Sequence, residues 1–524
     1  MGTWYVRPDT SHAGTRDGTS YATAWGGWTE IVWGGAGVVG GDTLKVCGTH
    51  TLSANAAIGA HGGNSGATRC VIDGSFDPDP GTITSTPSGG YYLNNGSRQY
   101  TDIIGMALIG NGGRALNIGN GAHYTRVIRC SITGDGSTQV VALPVANGNT
   151  LTDLVIDGCD FYGECGSQGF ISQFVTAASA TVTLTRATIT GNRFHQCESP
   201  RSIIHLRSDT GVTARTIADL VIEHNVFEGC AGIPIEVNSA FNTYGLNTGL
   251  KIRHNIERNC GFAVGSSLLG GNVVRGFAPS TTPGFGRNEI AHNILRDVYG
   301  QYGGFNLFFG EYWVHHNEMD GIYTETIDGN GVLLDHGNQR TIVEANKFRN
   351  IPGKTGATNS GCAAMVLDST DCVVEANYGH DVAVGIYIGA QSHNDTGGSP
   401  NQSLHAVRNT FSGCTVAGVR LQADAATDNI VEANLFTGPG AAVSSGVTWT
   451  GESNNRFYDM AAASGHTLHG SSSTDDPLVN AAGVPLAGSP LLTDGADLGY
   501  RRDIRGFQSK NHIGAYGKAT YLTE

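Results

Sequence analysis

The chain is poor in charge and poorer still in lysine. Of its 524 residues only 15% are charged and only six are lysine (Lys45, Lys251, Lys347, Lys354, Lys510 and Lys518), with a net charge of −14. Soluble domains usually carry about a quarter charged residues. No basic stripe exists to follow a phosphate backbone, so no nucleic acid partner is expected. Long apolar runs are missing too, and Met1 leads through Trp4 into aromatic sequence without a basic segment followed by an apolar one. The expectation is no membrane insertion and no secretion signal of the chain's own. No two cysteines are spaced CxxC, which removes the usual zinc and thioredoxin-like readings. The eleven cysteines read as small, reduced core residues.

Glycine is what the chain has in excess. Its 77 glycines are about double the ordinary share. Together with many Asn, Thr, Ser and Asp they disfavour helix and suit short strands joined by tight turns.

One phrase recurs: an aliphatic residue, two variable residues, Asn, one variable residue, then an apolar one. It runs from ITGNRF (189–194) and IEHNVF (222–227) to VEANKF (343–348) and VEANLF (431–436), and places Asn at 192, 225, 255, 293, 317, 346, 377, 409 and 434. The spacing of 24 to 38 residues is too irregular for helical repeats and suits coils of short strands with variable loops. Alternating stretches such as GIPIEV (232–237), GVLLDH (331–336), AMVLDS (364–369) and GIYIGA (385–390) supply a second strand per coil. Stacked coils turn each equivalent position into a column, and the Asn column predicts an internal amide ladder.

This pattern resembles the right-handed parallel β-helix proteins of the pectate-lyase-like superfamily. Residues 5–25 with 41–51 look like the opening of such proteins, and 475–480, 488–497 and 501–516 like their closing segment. The expected organisation is all-β: an N-terminal cap over 1–50, a parallel β-helix of roughly ten or more coils over 51–460, and a closing segment over 461–524. The resemblance implies fold more than chemistry, since polysaccharide lyases, glycoside hydrolases, epimerases, adhesins and phage tailspikes share it.

Candidate chemistry sits in the columns. His224, His254, His292 and His316 each precede a ladder Asn, where Ala345, Ala376 and Ala433 stand later. These imidazoles are expected to stack as a turn ladder, and no metal site is assigned. Glu257 interrupts an apolar column of Phe194, Phe227, Leu295, Met319, Phe348, Phe411 and Phe436. Either Ile256 takes the inward place there or a carboxyl group is held near the core.

Aligning the second strands gives an outward column of Arg207, Glu236, Ser266, Phe308, Asp335, Asp368, Gly389 and Gln422. Asp335 and Asp368 in consecutive coils are the candidate acid and base of glycoside hydrolysis, with His336 and Glu325 to orient or assist. Residues 299–313 hold seven aromatics, among which Tyr299, Tyr302, Tyr312 and Trp313 are the candidate stacking surface for sugar rings. Arg207 and Glu236 are further substrate-binding candidates.

The leading expectation is therefore a polysaccharide-binding, polysaccharide-cleaving β-helix protein without a cofactor, extracellular or virion-associated. A phage tailspike resemblance further implies a homotrimer and virion tail proteins as partners. Two alternatives stay open. A structural or adhesive β-helix would carry no converging ionisable groups on any groove column. A lyase acting on uronate-containing glycans would use a Lys, Arg, His or Tyr base, with Arg or Ca²⁺ neutralising the uronate, and its cationic region would be Arg201, Arg207, Lys251, Arg253 and Arg258.

Overall fold

A computed structural model describes residues 1–462 except 9–14, 64, 86–89, 91, 138, 167, 176–180, 209–213, 240–244, 262–271, 276–287, 301–302, 325–328, 336, 358–359, 390–403, 423–428 and 446–450, with a few residues beyond. Strands account for nearly all regular structure. Among the described residues the helical pieces are two 3-10 turns, Trp28–Glu30 and Gly66–Thr68, and none is long and apolar enough to cross a membrane.

The chain divides into two compact units, one made chiefly of Met1–Lys251 and one running on from Ile252. In the first, the strands Thr3–Val6, Thr43–Val46, Cys70–Asp73, Thr101–Ile104, Arg126–Ile128, Val155–Asp157, Thr188–Thr190 and Val221–Glu223 pair in succession, all parallel. Between successive members the chain makes a circuit through other faces. One of them is built from Asn149–Thr152, Thr181–Thr185, Ala214–Ala218 and Gly245–Thr248. A chain that returns to the same parallel sheet after every circuit is a parallel β-helix.

The second unit repeats the plan with three strands per coil. Its first face runs Asn288–Ala291, Tyr312–His315, Ile342–Glu344, Val373–Glu375, His405–Val407, Ile430–Glu432 and Glu452–Ser453. Its third face runs Asn272–Arg275, Phe305–Phe308, Val332–Asp335, Cys362–Leu367, Val384–Gly389, Ala417–Leu421 and Ala441–Ser445.

The recurring phrase is the corner between the first and second strand of each coil. The residue before the ladder Asn is left-handed every time, with φ of 56° at His292, 55° at His316, 53° at Ala345 and Ala376, and 55° at Arg408 and Ala433. That conformation costs a residue with a side chain of order 1 kcal/mol, and the ladder offsets it. In the second unit Asn293 Nδ2 donates to Asn317 Oδ1, Asn317 to Asn346, Asn346 to Asn377, Asn377 to Asn409, Asn409 to Asn434 and Asn434 to Asn455, all at 2.9–3.0 Å. Each Oδ1 also accepts the backbone N–H of the preceding ladder Asn, as between Asn317 and Asn346 at 3.0 Å. The second Nδ2 hydrogen goes to a backbone carbonyl of the coil before, as from Asn317 to Ile290 at 2.9 Å, so the buried amides are satisfied. Asn455 is a further member that the repeat phrase did not reveal.

The apolar column is stacked as expected, with Phe161, Phe194 and Phe227 at centroid separations of 4.6 and 4.8 Å. All eleven cysteines are buried and none is joined in a disulfide. Their thiols act as interior donors, Cys197 Sγ lying 3.3 Å from the carbonyl oxygen of Phe161 and Cys230 Sγ 3.4 Å from that of Phe194. Glu257, not Ile256, takes the inward place. It is 1% exposed and stands opposite Leu295 in register. Asn272 Nδ2 donates to its Oε1 at 2.7 Å, and Oε2 meets no hydrogen-bond partner among the described residues. Burial pushes this carboxyl up to about 8, so it is protonated through most of the neutral range.

Candidate active site

The third face, which in the first unit includes Ile171–Val175, the later part of Arg193–Ser208 and Ala231–Ser239, carries two sets of side chains, one toward the core and one toward the outside. In the first unit Ile171, Ile204 and Ile235 form one column, with Gln173, Leu206 and Val237 beside it on the same side. Ser172, His205 and Glu236 form the column on the other side, next to the partly exposed Arg207. Although outward by alternation, these three are withdrawn from solvent, at 0%, 0% and 2% exposure.

Glu236 is the hub of that cluster. Arg207 Nη1 donates to its Oε1 at 3.1 Å, and Ser202 Oγ donates to Oε2 at 2.5 Å. His205 Nε2 stands 3.5 Å from Oε2. The imidazole's other nitrogen, Nδ1, lies 2.9 Å from the carbonyl oxygen of Gln168, which can only accept, so Nδ1 carries the proton and Nε2 is the basic atom. Burial lowers the His205 pKa, against the opposing pull of Glu236. Phe174 stacks on the ring at 5.1 Å and fixes its plane. The result is a neutral, oriented base beside a carboxylate, an alcohol and a guanidinium.

Register corrects the outward column read from the sequence. Glu236 opposes His205, and Arg207 opposes Asn238. His205 and Ser202 are the residues that the sequence reading missed. The available signal was the alternation IIHLR (203–207), which puts a histidine two residues before the arginine, on the same side of the strand.

In the second unit Phe308 opposes Asp335 as read. The next pairing is Val332 with Ala364, Leu333 with Met365 and Leu334 with Val366. Asp335 therefore comes level with Leu367, and Asp368 falls one residue later, in a left-handed turn with φ of 46°. The two carboxylates stand at the same end of adjacent strands but not in one column. Asp335 is 7% exposed and Asp368 is half-buried. His336 and Glu325 lie outside the described residues.

No protein-family model matches the chain, and no curated protein matches its sequence. Among solved structures it is similar to the catalytic domain of a GH87 α-1,3-glucanase in complex with tetrasaccharides, at 12% identity and a TM-score of 0.39, over 88% of this chain and 65% of that one. It is also similar to the A-module of an Azotobacter vinelandii mannuronan C-5 epimerase (14%, TM-score 0.29, 84% of this chain and 91% of that). A third is a PL6 family alginate lyase (12%, TM-score 0.33, 93% and 55%). The chain thus spans less than two thirds of the glucanase domain and about half of the alginate lyase.

The aromatic segment divides between core and surface. Tyr312, proposed as a stacking residue, is fully buried, and its hydroxyl reaches the carbonyl oxygens of Phe308 and Val274 at 2.8 and 3.2 Å. It is a core residue, because it opens a first-face strand whose alternation turns it inward. Phe305 and Phe308 are buried as well. Trp313, next along the same strand, faces outward at 37% exposure. Tyr299 stacks on Tyr323 of the next coil at 5.0 Å, and both are half-buried. Tyr302 lies outside the described residues. The surface that remains for a sugar ring is Trp313 and the Tyr299–Tyr323 pair, the second tyrosine unforeseen.

Proposed function

We propose that this β-helix protein binds and cleaves a polysaccharide on the outer side of its third face. The observation that carries the reading is the outward column of the first unit, where His205 and Glu236 are held out of solvent with Ser202 and Arg207. Ionisable groups withdrawn from water and gathered on an outward column are the kind of cluster that functional sites contain. Within the second unit, and away from its third face, Trp313 and the Tyr299–Tyr323 stack offer flat apolar surface of the kind sugar rings favour.

Two chemistries follow. Hydrolysis assigns Asp335 and Asp368 as acid and base, needs no cofactor and yields reducing ends alone. Elimination from a uronate assigns His205 Nε2 as base and Arg207 as the group that neutralises the sugar carboxylate, and it yields an ultraviolet-absorbing unsaturated uronate as well. The neutral state and fixed tautomer of His205 favour the second as the alternative to test beside the first. The setting we propose is extracellular or virion-associated, with a homotrimer as the assembly.

The test is incubation with a panel of capsular, lipopolysaccharide and marine glycans, following reducing ends and ultraviolet absorbance together. Reducing ends without absorbance, lost in Asp335→Asn or Asp368→Asn, support hydrolysis. New absorbance, lost in His205→Gln, supports elimination. Binding without either product on every glycan overturns the enzyme reading in favour of an adhesin.

A further inference from the structure

The corner that precedes the Asn ladder carries histidines that the proposed function does not use. His292 and His316 are the left-handed corner residues of adjacent coils, stacked at 5.1 Å, and His254 stacks on the other side of His292 at 4.9 Å. His315, the last residue of its strand, brings a further ring against His292 and His316. One ligand nitrogen from each of His292, His315 and His316 lies within 4.8 Å of the other two.

Two details go beyond crowding. His315 Nδ1 and His316 Nδ1 are 2.9 Å apart, facing each other. Two nitrogens bound to one ion at about 2.0–2.1 Å sit roughly 3 Å apart, so the gap already has the span of neighbouring ligands. The far nitrogen of His315, Nε2, lies 3.3 Å from Glu289 Oε1, and Arg253 Nη1 stands 3.8 Å from the other oxygen of that carboxylate. A carboxylate that takes the Nε2–H of a histidine leaves its Nδ1 as a bare donor to metal, an arrangement that nearly always accompanies metal-bound imidazole. Trp313 covers the His315 ring at 3.8 Å and is itself tied by Nε1 to Glu344 Oε1 at 2.8 Å. His315 is therefore buried and oriented, whereas His292 and His316 remain open to solvent.

We propose that His292, His315 and His316 bind one late first-row transition-metal ion, of which Zn²⁺ is the representative, with Glu289 as the group that orients His315. An all-imidazole donor set selects such ions over Ca²⁺ and Mg²⁺, which require oxygen. Because His292 and His316 belong to successive coils, the ion would clamp two rungs of the solenoid together.

Equivalent corners carry Ala345, Ala376 and Ala433 at the same φ, so His292→Ala and His316→Ala remove ligands without disturbing the fold. The test is calorimetric titration of chelator-treated full-length protein with Zn²⁺ and, separately, Ca²⁺, alongside melting temperature with and without Zn²⁺. The site predicts one Zn²⁺ per chain, a melting temperature raised by Zn²⁺ and no response to Ca²⁺. It further predicts affinity at least ~100-fold lower in each alanine variant and roughly ten- to a hundredfold lower in Glu289→Gln. Absence of Zn²⁺ binding at micromolar concentration, binding undiminished in both alanine variants, or an equal response to Ca²⁺ would overturn it.

Discussion

The outward columns of the two units are built on the same kind of strand and are equally withdrawn from water, yet their chemistry is opposite. In the first unit the column is Ser172, His205 and Glu236. In the second it reads Asn306, Leu333, Met365 and Tyr387, before the partly exposed Arg420. Leu333, Met365, Leu367 and Tyr387 pack into one apolar cluster, which keeps water out at little electrostatic cost. The polar column holds its place only because each charged group is answered by another. Burial alone therefore does not mark a functional column; burial of groups that would rather be solvated does.

Breaking the polar column should have the largest effect. Glu236→Ala leaves Arg207 and Ser202 without their shared acceptor and is expected to cost about 3–5 kcal/mol in chemical denaturation, whereas Glu236→Gln should cost clearly less. Met365→Ala breaks the apolar column through a cavity instead, at about 2–4 kcal/mol, with no change in salt dependence. The pH profile sharpens the contrast. Glu257 in the second unit has its folded pKa raised from 4.5 to about 8, so the folded state holds a proton that the unfolded state releases. Stability should accordingly fall as pH rises from about 4.5 to about 8, by up to ~1.4 kcal/mol per pH unit, and Glu257→Leu should flatten that limb. In the first unit burial lowers His50 and His61 to about 4 and lowers His205 too. The unfolded state then binds more protons below about pH 6.5, and stability should fall as pH drops from there toward 4. The smallest effect is expected for Tyr312→Phe, about 1 kcal/mol, because the ring stays packed and only the hydroxyl contacts are lost.

The same contrast explains what the sequence revealed. The Asn phrase exposed the coil, its corner and its amide ladder, because a repeated backbone shape with a fixed polar need leaves a fixed residue type at a fixed place. Register across coils was harder to read. Matching GVLLDH with AMVLDS aligned the two aspartates, but the strands pair one residue away from that match, and a shift of one exchanges the two sides of a strand. The aromatic run misled for a related reason. A strand opening at Tyr312 turns that ring inward and Trp313 outward, and composition alone does not say where a strand opens. The Glu236 cluster drew on residues 29 to 34 positions apart in the chain, which no local motif joins.

The ladder in the second unit also has a direction. From Asn293 to Asn434 every amide-to-amide bond runs from Nδ2 to the Oδ1 of the next coil, while the second Nδ2 hydrogen goes back to a backbone carbonyl of the coil before, as from Asn317 to Ile290 at 2.9 Å. Aligned in this way the amide dipoles add, and each bond polarises its neighbour. The column ends where the backbone N–H of Asn455 turns to the hydroxyl of Ser472, at 2.9 Å. Each coil thus presents its successor with a half-made bond of fixed polarity, so the stack reads as an arrow along which a growing solenoid is told on which side the next turn must land.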